Sequence, residues 1–149
     1  ELTLVLDDIR DPGNLGTIVR IADWYGIKNI VCSKSSVDFY NPKVISATMG
    51  SFARVAVFYT DLPEFLGGLN KGSGSDKMPI LGAFMGGTSI HSFSFPKSGI
   101  LVIGSESHGI SAEVGKFITE KITIPRIGQA ESLNASVATA IIVDRWQGK

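Results

Sequence analysis

Cysteine and histidine are scarce in this chain of 149 residues. Cys32 is the only cysteine, which excludes a disulfide bond within the chain, and only two histidines accompany it. A structural zinc site is therefore not expected, and we predict a protein that needs no metal. The low cysteine content fits a reducing compartment best, so we expect a cytoplasmic protein.

Long apolar runs, a signal sequence and an excess of one charge are also missing. No apolar stretch approaches the roughly 20 residues that are needed to cross a bilayer, and the N-terminus lacks the basic and then apolar order of a signal peptide. Fourteen basic residues balance fourteen acidic ones. This balance excludes a global positive field that would attract nucleic acid, so any site for nucleic acid must be local.

Short β-branched runs alternate with segments of helical length. Six runs are predicted to be strands, at residues 2–6, 29–32, 55–59, 80–84, 100–103 and 121–124. Strands that are separated by helices form parallel sheets whose two faces are covered. The predicted fold class is therefore α/β, with a mostly parallel sheet that is flanked by helices.

Four helices are predicted, at residues 14–25, 42–49, 62–69 and 133–146. Asn14 is placed to cap the first of them, and Gly26 is placed to end it. The last helix is apolar with little interruption until Asp144, so it should be buried on most sides or pack against a partner subunit. The segment 71–77, rich in glycine and serine, is predicted to be a flexible loop.

The first motif, residues 11–20, follows a strand and opens a helix. Ligands of open α/β sheets bind beyond the carboxyl ends of the strands, so this turn lies where chemistry is expected. Asn14 taken alone has a second interpretation as a helix cap, and Arg20 has one as a solvated arginine. The first motif does not decide between these interpretations.

The second motif, residues 101–111, runs from a strand into a loop that is flanked by glycines. It is not a phosphate-binding loop, and a hydrolase elbow would need serine where Glu106 stands. Glu106 is a candidate site residue, or else a carboxylate that accepts backbone amides. His108 is interpreted as a surface or hydrogen-bonding histidine, and Ser111 can cap a following helix.

The third motif, residues 122–136, consists of a strand, a loop and the start of the last predicted helix. The free amides and the positive dipole end at a helix start suit a carboxylate or a phosphate. The alternative is that Ser132 is only the N-cap of that helix.

Together these segments resemble the SpoU family of RNA ribose 2′-O-methyltransferases, within the SPOUT superfamily. That family shows Asn-x-Gly-x-x-x-Arg, then Gly-x-Glu-x-x-Gly, then Ser-Leu-Asn-x-Ser. The same patterns stand here at residues 14–20, 104–109 and 132–136, in the same order. The resemblance extends from Leu4 to about Trp146.

The resemblance implies a C-terminal deep trefoil knot that binds S-adenosylmethionine, a homodimer that completes the active site, and an RNA substrate, either rRNA or tRNA. It implies that residues 1–149 are a SpoU-type catalytic domain. Because the chain starts almost inside a strand, at Leu2, we expect that an N-terminal RNA-binding domain has been removed. Without that domain, RNA binding should be weak.

The family roles can be carried over position by position. The cofactor would be held, largely through backbone groups, by Gly104, Ile124 and Leu133. The reaction centre would be lined by Asn14, Arg20, Glu106, Ser132 and Asn134. Apart from the family roles, the local arginines that could bind RNA phosphates near the site are Arg10, Arg20, Arg54 and Arg126.

An arginine with a pKa above about 12 is a poor base. Arg20 is therefore expected to bind the neighbouring phosphate and to stabilise the developing alkoxide. Two alternatives remain open, which are methylation of a tRNA base on the same scaffold and a catalytically silent RNA-binding module.

Overall fold

The predicted strands form one parallel sheet in the computed structural model, which describes residues 1–71 and 76–148. Within these residues the sheet has six strands, in the order β3-β2-β1-β5-β4-β6, and every neighbouring pair is parallel. The strands are β1 (Leu2–Asp7), β2 (Asn29–Ser33), β3 (Ala56–Thr60), β4 (Ile80–Ser89), β5 (Gly99–Gly104) and β6 (Glu120–Thr123). The expected sheet architecture is confirmed.

Helices cover both faces of this sheet, as a parallel sheet requires. They are α1 (Pro12–Trp24), α2 (Pro42–Ala47), α3 (Leu62–Leu69), α4 (Ala112–Gly115) and α5 (Ala135–Gln147), with a short 3₁₀ turn at Ser51–Ala53. Ser111 is the N-cap of α4, and its Oγ accepts a hydrogen bond from the Val114 amide, as predicted. Most of the predicted loop at 71–77 lies outside the described residues.

The side chains of β1 alternate between two apolar cores. Leu4 and Leu6 pack in the larger core with residues of α1 and α5, whereas Val5 packs in the smaller core with residues of α3 and α4. All three side chains are fully buried. Because both faces are covered, β1 reads as an almost unbroken apolar run rather than an alternating one.

Two predicted helix starts are wrong by two residues. The N-cap of α1 is Asp11, whose Oδ2 accepts the Asn14 amide at 2.8 Å, and Pro12 takes the first helical position, which its fixed φ favours. α5 begins at Ala135 with Asn134 as its N-cap, so Ser132 does not cap it. The end of α1 is confirmed, because Gly26 follows its last turn with a φ of 72°.

α5 is buried on one face only, rather than on most sides. Its buried residues are Ala135, Ser136, Thr139, Ile142, Val143 and Trp146. Val137 and Ile141 on the other face are 46% and 38% exposed. The far end of the helix is fixed by two hydrogen bonds, from Tyr25 Oη to Asp144 at 2.7 Å and from Trp146 Nε1 to the Pro96 carbonyl at 2.8 Å.

Among the described helices, none is both long enough and apolar enough to cross a membrane. Cys32 lies fully buried in the larger core, where burial raises the pKa of its thiol to about 12. This thiol is therefore protonated and shielded near neutral pH.

α1 and α2 pack at a glycine. A Cβ on Gly16 would lie 2.4 Å from Ala47 Cβ and 2.6 Å from the Val44 carbonyl oxygen. The two helix backbones can approach this closely only because residue 16 has no side chain.

We predict that Gly16→Ala destabilises the protein by about 1–3 kcal/mol, because the added methyl group overpacks the contact between α1 and α2. Gly68→Ala in α3 is the matched control, since a Cβ there meets nothing within 4 Å. That control should stabilise the protein by up to about 1 kcal/mol through helix propensity. Urea unfolding of both variants measures the difference, and equal effects would contradict the packing argument.

Candidate functional site

A cleft of about 270 Å³ lies at the carboxyl edge of the sheet. β1 and β5 are adjacent and parallel, with Asp7 opposite Gly104, so the turn after β1 and the loop after β5 leave the sheet side by side. The turn lines the cleft with Arg10, Asp11 and Asn14, and the loop lines it with Ser105, Glu106 and His108. The cleft therefore lies between the first two motifs.

Three side chains from the three motifs form one hydrogen-bonded chain. Asn134 donates from Nδ2 to Asn14 Oδ1 at 3.0 Å, and Asn14 donates from Nδ2 to Glu106 Oε1. The partners are 120 and 92 residues apart in sequence. The fold thus brings together three of the five predicted reaction-centre residues.

The chain of hydrogen bonds has a fixed direction. An ionised carboxylate only accepts, so Glu106 obliges Asn14 to present its NH₂ group there and its carbonyl oxygen to Asn134. Asn134 must then donate to Asn14 and turn its own Oδ1 toward α5. That oxygen accepts from the amides of Ser136 at 2.9 Å and Val137 at 3.3 Å. Asn134 therefore caps α5 and donates to Asn14 at the same time.

The turn after β1 is held from the neighbouring strand by serines that the sequence analysis did not identify. Asp8 has a φ of 63°, which is unusual for a residue with a side chain. Its amide donates to Ser33 Oγ at 2.8 Å, and the Ile9 amide donates to Ser36 Oγ at 3.1 Å. The cluster of serines at the end of β2 and just after it is the sequence pattern that could have predicted these contacts. Such clamping orders the turn that leads to Asn14.

Asp8 also pairs with Arg10 at the rim of the cleft. Arg10 Nε lies 2.7 Å from Asp8 Oδ1, and the Arg10 side chain is 74% exposed. The hydrogen bond from Arg10 is the main cause that lowers the pKa of Asp8 below its usual value of 3.8. A guanidinium group is thereby placed at the mouth of the cleft in a defined position.

The loop after β5 is a tight, closed turn. Ser105 and Gly109 exchange two backbone hydrogen bonds, at 3.2 Å and 2.8 Å. A Cβ on Gly104 would lie 2.2 Å from the Gly109 carbonyl carbon, so the closed turn requires glycine at position 104. His108 is exposed and hydrogen-bonded to Ser107, as interpreted from the sequence. Glu106 accepts a hydrogen bond from the side-chain amide of Asn14, and not from backbone amides of the described residues.

The remaining predicted residues do not join this cluster within one chain. In the described part of the chain, Arg20 makes no hydrogen bond or ion pair. It lies six residues beyond Asn14, about 9 Å along α1. Ser132 and Leu133 are exposed in the irregular segment before α5. Ile124 is half-buried just beyond β6, which ends at Thr123 rather than at residue 124.

Three of the four arginines that were expected to bind phosphates have partners in the protein, and one of them is Arg10, which pairs with Asp8. Arg54 forms a bidentate ion pair with Asp23, with NH2 to Oδ2 at 2.7 Å, so its guanidinium is occupied. Arg126 is exposed and donates to the Ala130 carbonyl at 3.2 Å. This ion pair ties α1 to the segment after the 3₁₀ turn, and phosphate binding by Arg54 stays a prediction.

In residues 1–71 and 76–148, no three side chains of His, Cys, Asp or Glu lie together in a group that could hold a metal ion. The polar atoms at the cleft are used in hydrogen bonds instead.

The two roles of Asn134 can be separated by substitution. Asn134→Ala removes the cap of α5 and should cost about 1 kcal/mol of folding free energy. Asn134→Asp keeps a good cap but replaces the donor to Asn14 with an oxygen. We predict that this variant loses less stability than Asn134→Ala, although it also breaks the hydrogen bond to Asn14. Thermal unfolding tests the ranking, and a larger loss in Asn134→Asp would contradict it.

Comparison with known proteins gives one consistent family. Residues 1–144 match the model of the SpoU rRNA Methylase family. The chain is 32% identical over 146 residues to the 23S rRNA (guanosine(2553)-2′-O)-methyltransferase RlmP of Bacillus subtilis (strain 168), covering 97% of the chain and 57% of that protein. It is 29% identical over 147 residues to the 23S rRNA (uridine(2479)-2′-O)-methyltransferase of Streptomyces viridochromogenes, covering 96% and 51%.

Solved structures agree with these sequence relatives. The AdoMet-bound rRNA methyltransferase from Sinorhizobium meliloti has a TM-score of 0.89 and 28% identity, covering 99% of this chain and 56% of that one. The SpoU methyltransferase AviRb from Streptomyces viridochromogenes, in complex with the cofactor AdoMet, also has a TM-score of 0.89, with 25% identity and coverage of 98% and 56%. The chain thus spans little more than half the length of these relatives.

Proposed function

The chain belongs to the SpoU rRNA methylase family, and we propose that it is the catalytic domain of an enzyme that transfers a methyl group from S-adenosylmethionine to a ribose 2′-hydroxyl of RNA. The observation that carries the proposal is the hydrogen-bonded chain from Asn134 through Asn14 to Glu106. It joins side chains from all three family motifs beside one cleft.

The cofactor is proposed to bind along the segment between β6 and α5. This segment exposes apolar side chains, with Ile127 99% exposed and Leu133 46% exposed. This combination suits a flat adenine ring. The ring can pack on the apolar side chains, and the irregular backbone can form hydrogen bonds with its edge. We assign Ile124 and Leu133 to cofactor binding. We assign Gly104 to it as well, because β5 ends at Gly104, at the same carboxyl edge of the sheet.

S-adenosylmethionine supplies a methyl group on a positively charged sulfur, which leaves as a neutral thioether when the ribose oxygen forms its bond to carbon. Little charge develops on the methyl group during transfer. The protein therefore contributes to catalysis mainly by orienting the reactants. Glu106 offers a carboxylate whose position is fixed by Asn14, and Ser132 and Asn134 lie at the start of α5. We propose that these residues orient the ribose and the methyl donor.

The hydroxyl proton must leave as the new bond forms. Arg20 remains charged at neutral pH, so it is not proposed as the base. We propose that Arg20 binds the adjacent phosphate, stabilises the developing alkoxide, and lets the proton pass to phosphate or water. Arg20 is exposed and unpaired in the described residues, which leaves its guanidinium available for this role.

A homodimer is proposed to complete the site. Val137 and Ile141 on the outer face of α5 are partly exposed, and Leu133 precedes them. Apolar residues in this arrangement suit a self-complementary helix interface. Since Arg20 lies away from Asn14 and Glu106 of its own chain, we propose that it acts at the cleft of the partner subunit.

The deep trefoil knot also belongs to this proposal. β6 is an edge strand, yet the chain continues into α5, which packs on α1 near the middle of the sheet. The intervening segment must therefore cross the carboxyl ends of several strands. We propose that it crosses beneath the loop after β5. A location in the cytoplasm, where rRNA and tRNA are at hand, completes the proposal.

The proposed reaction predicts which product forms. Full-length protein should transfer a labelled methyl group from S-adenosylmethionine to rRNA or tRNA taken from cells that lack the gene. Digestion to nucleosides should then yield a 2′-O-methylnucleoside. Glu106→Gln and Asn14→Ala should reduce turnover by at least about tenfold, because Asn14→Ala removes the middle member of the hydrogen-bonded chain and Glu106→Gln removes the carboxylate charge that fixes its direction.

A base-methylated nucleoside in the same assay would contradict the ribose specificity. No transfer, together with no binding of S-adenosylmethionine by calorimetry, would leave a silent RNA-binding module.

Mixed dimers test the proposed position of Arg20. Arg20→Ala and Glu106→Gln should each be inactive alone. When the two variants are mixed and allowed to exchange subunits, activity should return to on the order of a quarter of the wild-type value, since half of the dimers regain one intact site. A confirmed mixed dimer without activity would place Arg20 at the site of its own chain.

A further inference from the structure

Asp7, the last residue of β1, is a buried carboxylate to which neither the motifs nor the proposed reaction assigns a role. Its side chain is 5% exposed. Asp7 Oδ2 accepts a hydrogen bond from the backbone amide of Ser111 at 2.7 Å, across 104 residues of sequence. Carboxylates are almost never buried without a specific partner, and this one is held by a charge-assisted bond.

The partner of Asp7 is the far end of the loop that carries Glu106. This loop leaves the sheet at Gly104, which lies opposite Asp7 in the register of β1 and β5. It returns at Ser111, which caps α4. Asp7 therefore connects the end of β1 to the end of the loop.

Two neighbouring parts of the chain, the end of β1 and the start of α1, hold the loop that carries Glu106, one on each face of the sheet. Glu106 is held by Asn14, at the start of α1. Ser111 is held by Asp7, on the face of α4, where Val5 also points. Because β1 leads directly into α1, the same rigid segment positions both ends of the loop.

We propose that Asp7 is a positioning residue for methyl transfer, which acts through Ser111 to keep Glu106 at Asn14. The inference rests on the proposed function. Asp7 does not touch the reactants; it fixes the loop that carries a group that does. Loss of its acceptor frees the loop at Ser111 and lets Glu106 leave the orientation that Asn14 requires.

The test measures turnover separately from binding in the full-length protein. Asp7→Ala should lower kcat by about tenfold to a hundredfold, with the KM for S-adenosylmethionine changed much less, because misplacement by about an ångström costs rate rather than affinity. Asp7→Asn keeps an oxygen acceptor and should restore most of kcat. Hydrogen exchange at the Ser111 amide should be faster in Asp7→Ala than in Asp7→Asn.

A matched control separates positioning from stability. Asp61 caps α3 by accepting the Glu64 amide at 2.9 Å, and it does not line the cleft. Asp61→Ala removes an exposed carboxylate that also accepts a backbone amide, and it should lower stability without changing kcat. In a Glu106→Gln background, Asp7→Ala should add little further loss, since it acts through Glu106. Independent, multiplicative losses would overturn the proposal.

The donor side provides a second route if Asp7→Ala does not fold. Ser111 has a φ of −62°, which suits proline, so Ser111→Pro removes the amide donor at a compatible backbone angle. Ser111→Ala is the matched control, because it also loses the capping hydroxyl but keeps the amide donor. Ser111→Pro should lower kcat more than Ser111→Ala does. Equal values overturn the proposal, whereas a wild-type protein that fails to methylate RNA refutes the proposed function instead.

Discussion

The site depends on the orientation of one side-chain amide, that of Asn14. It is 7% exposed and has a carboxylate on one side and a second asparagine on the other. Because the carboxylate can only accept hydrogen bonds, the side-chain amides of Asn14 and Asn134 can each point in only one direction. Each donor and acceptor from Glu106 to the first turn of α5 therefore has one defined partner. The positive end of the helix and the negative carboxylate are thereby joined by a polarised chain.

Much of the fold could be predicted from the sequence, because β-branched runs and helical periods are local signals. The six strands and the end of α1 at Gly26 follow from such signals. The errors lie where two local rules compete. Asn14 and Asp11 both suit a cap, and Pro12 decides for Asp11 by favouring the first helical position.

The site was predictable only in part, since its geometry depends on contacts across about a hundred residues. The motifs identify Asn14, Glu106 and Asn134, but no local pattern shows that these three form one chain. Asp7 was missed because it reads as the polar end of a strand, and its partner lies 104 residues away. Arg20 is the reverse case, a motif residue that makes no hydrogen bond or ion pair within residues 1–71 and 76–148.

The hydrogen bond between Asn134 and Asn14 also has a consequence for the order of synthesis. Asn14 and Glu106 lie in the first three quarters of the chain, whereas Asn134 belongs to the last of the three motifs to leave the ribosome. Until α5 has been translated and has folded, the carbonyl oxygen of Asn14 lacks its partner. A nascent chain on the ribosome therefore lacks the complete hydrogen-bonded chain until α5 has docked.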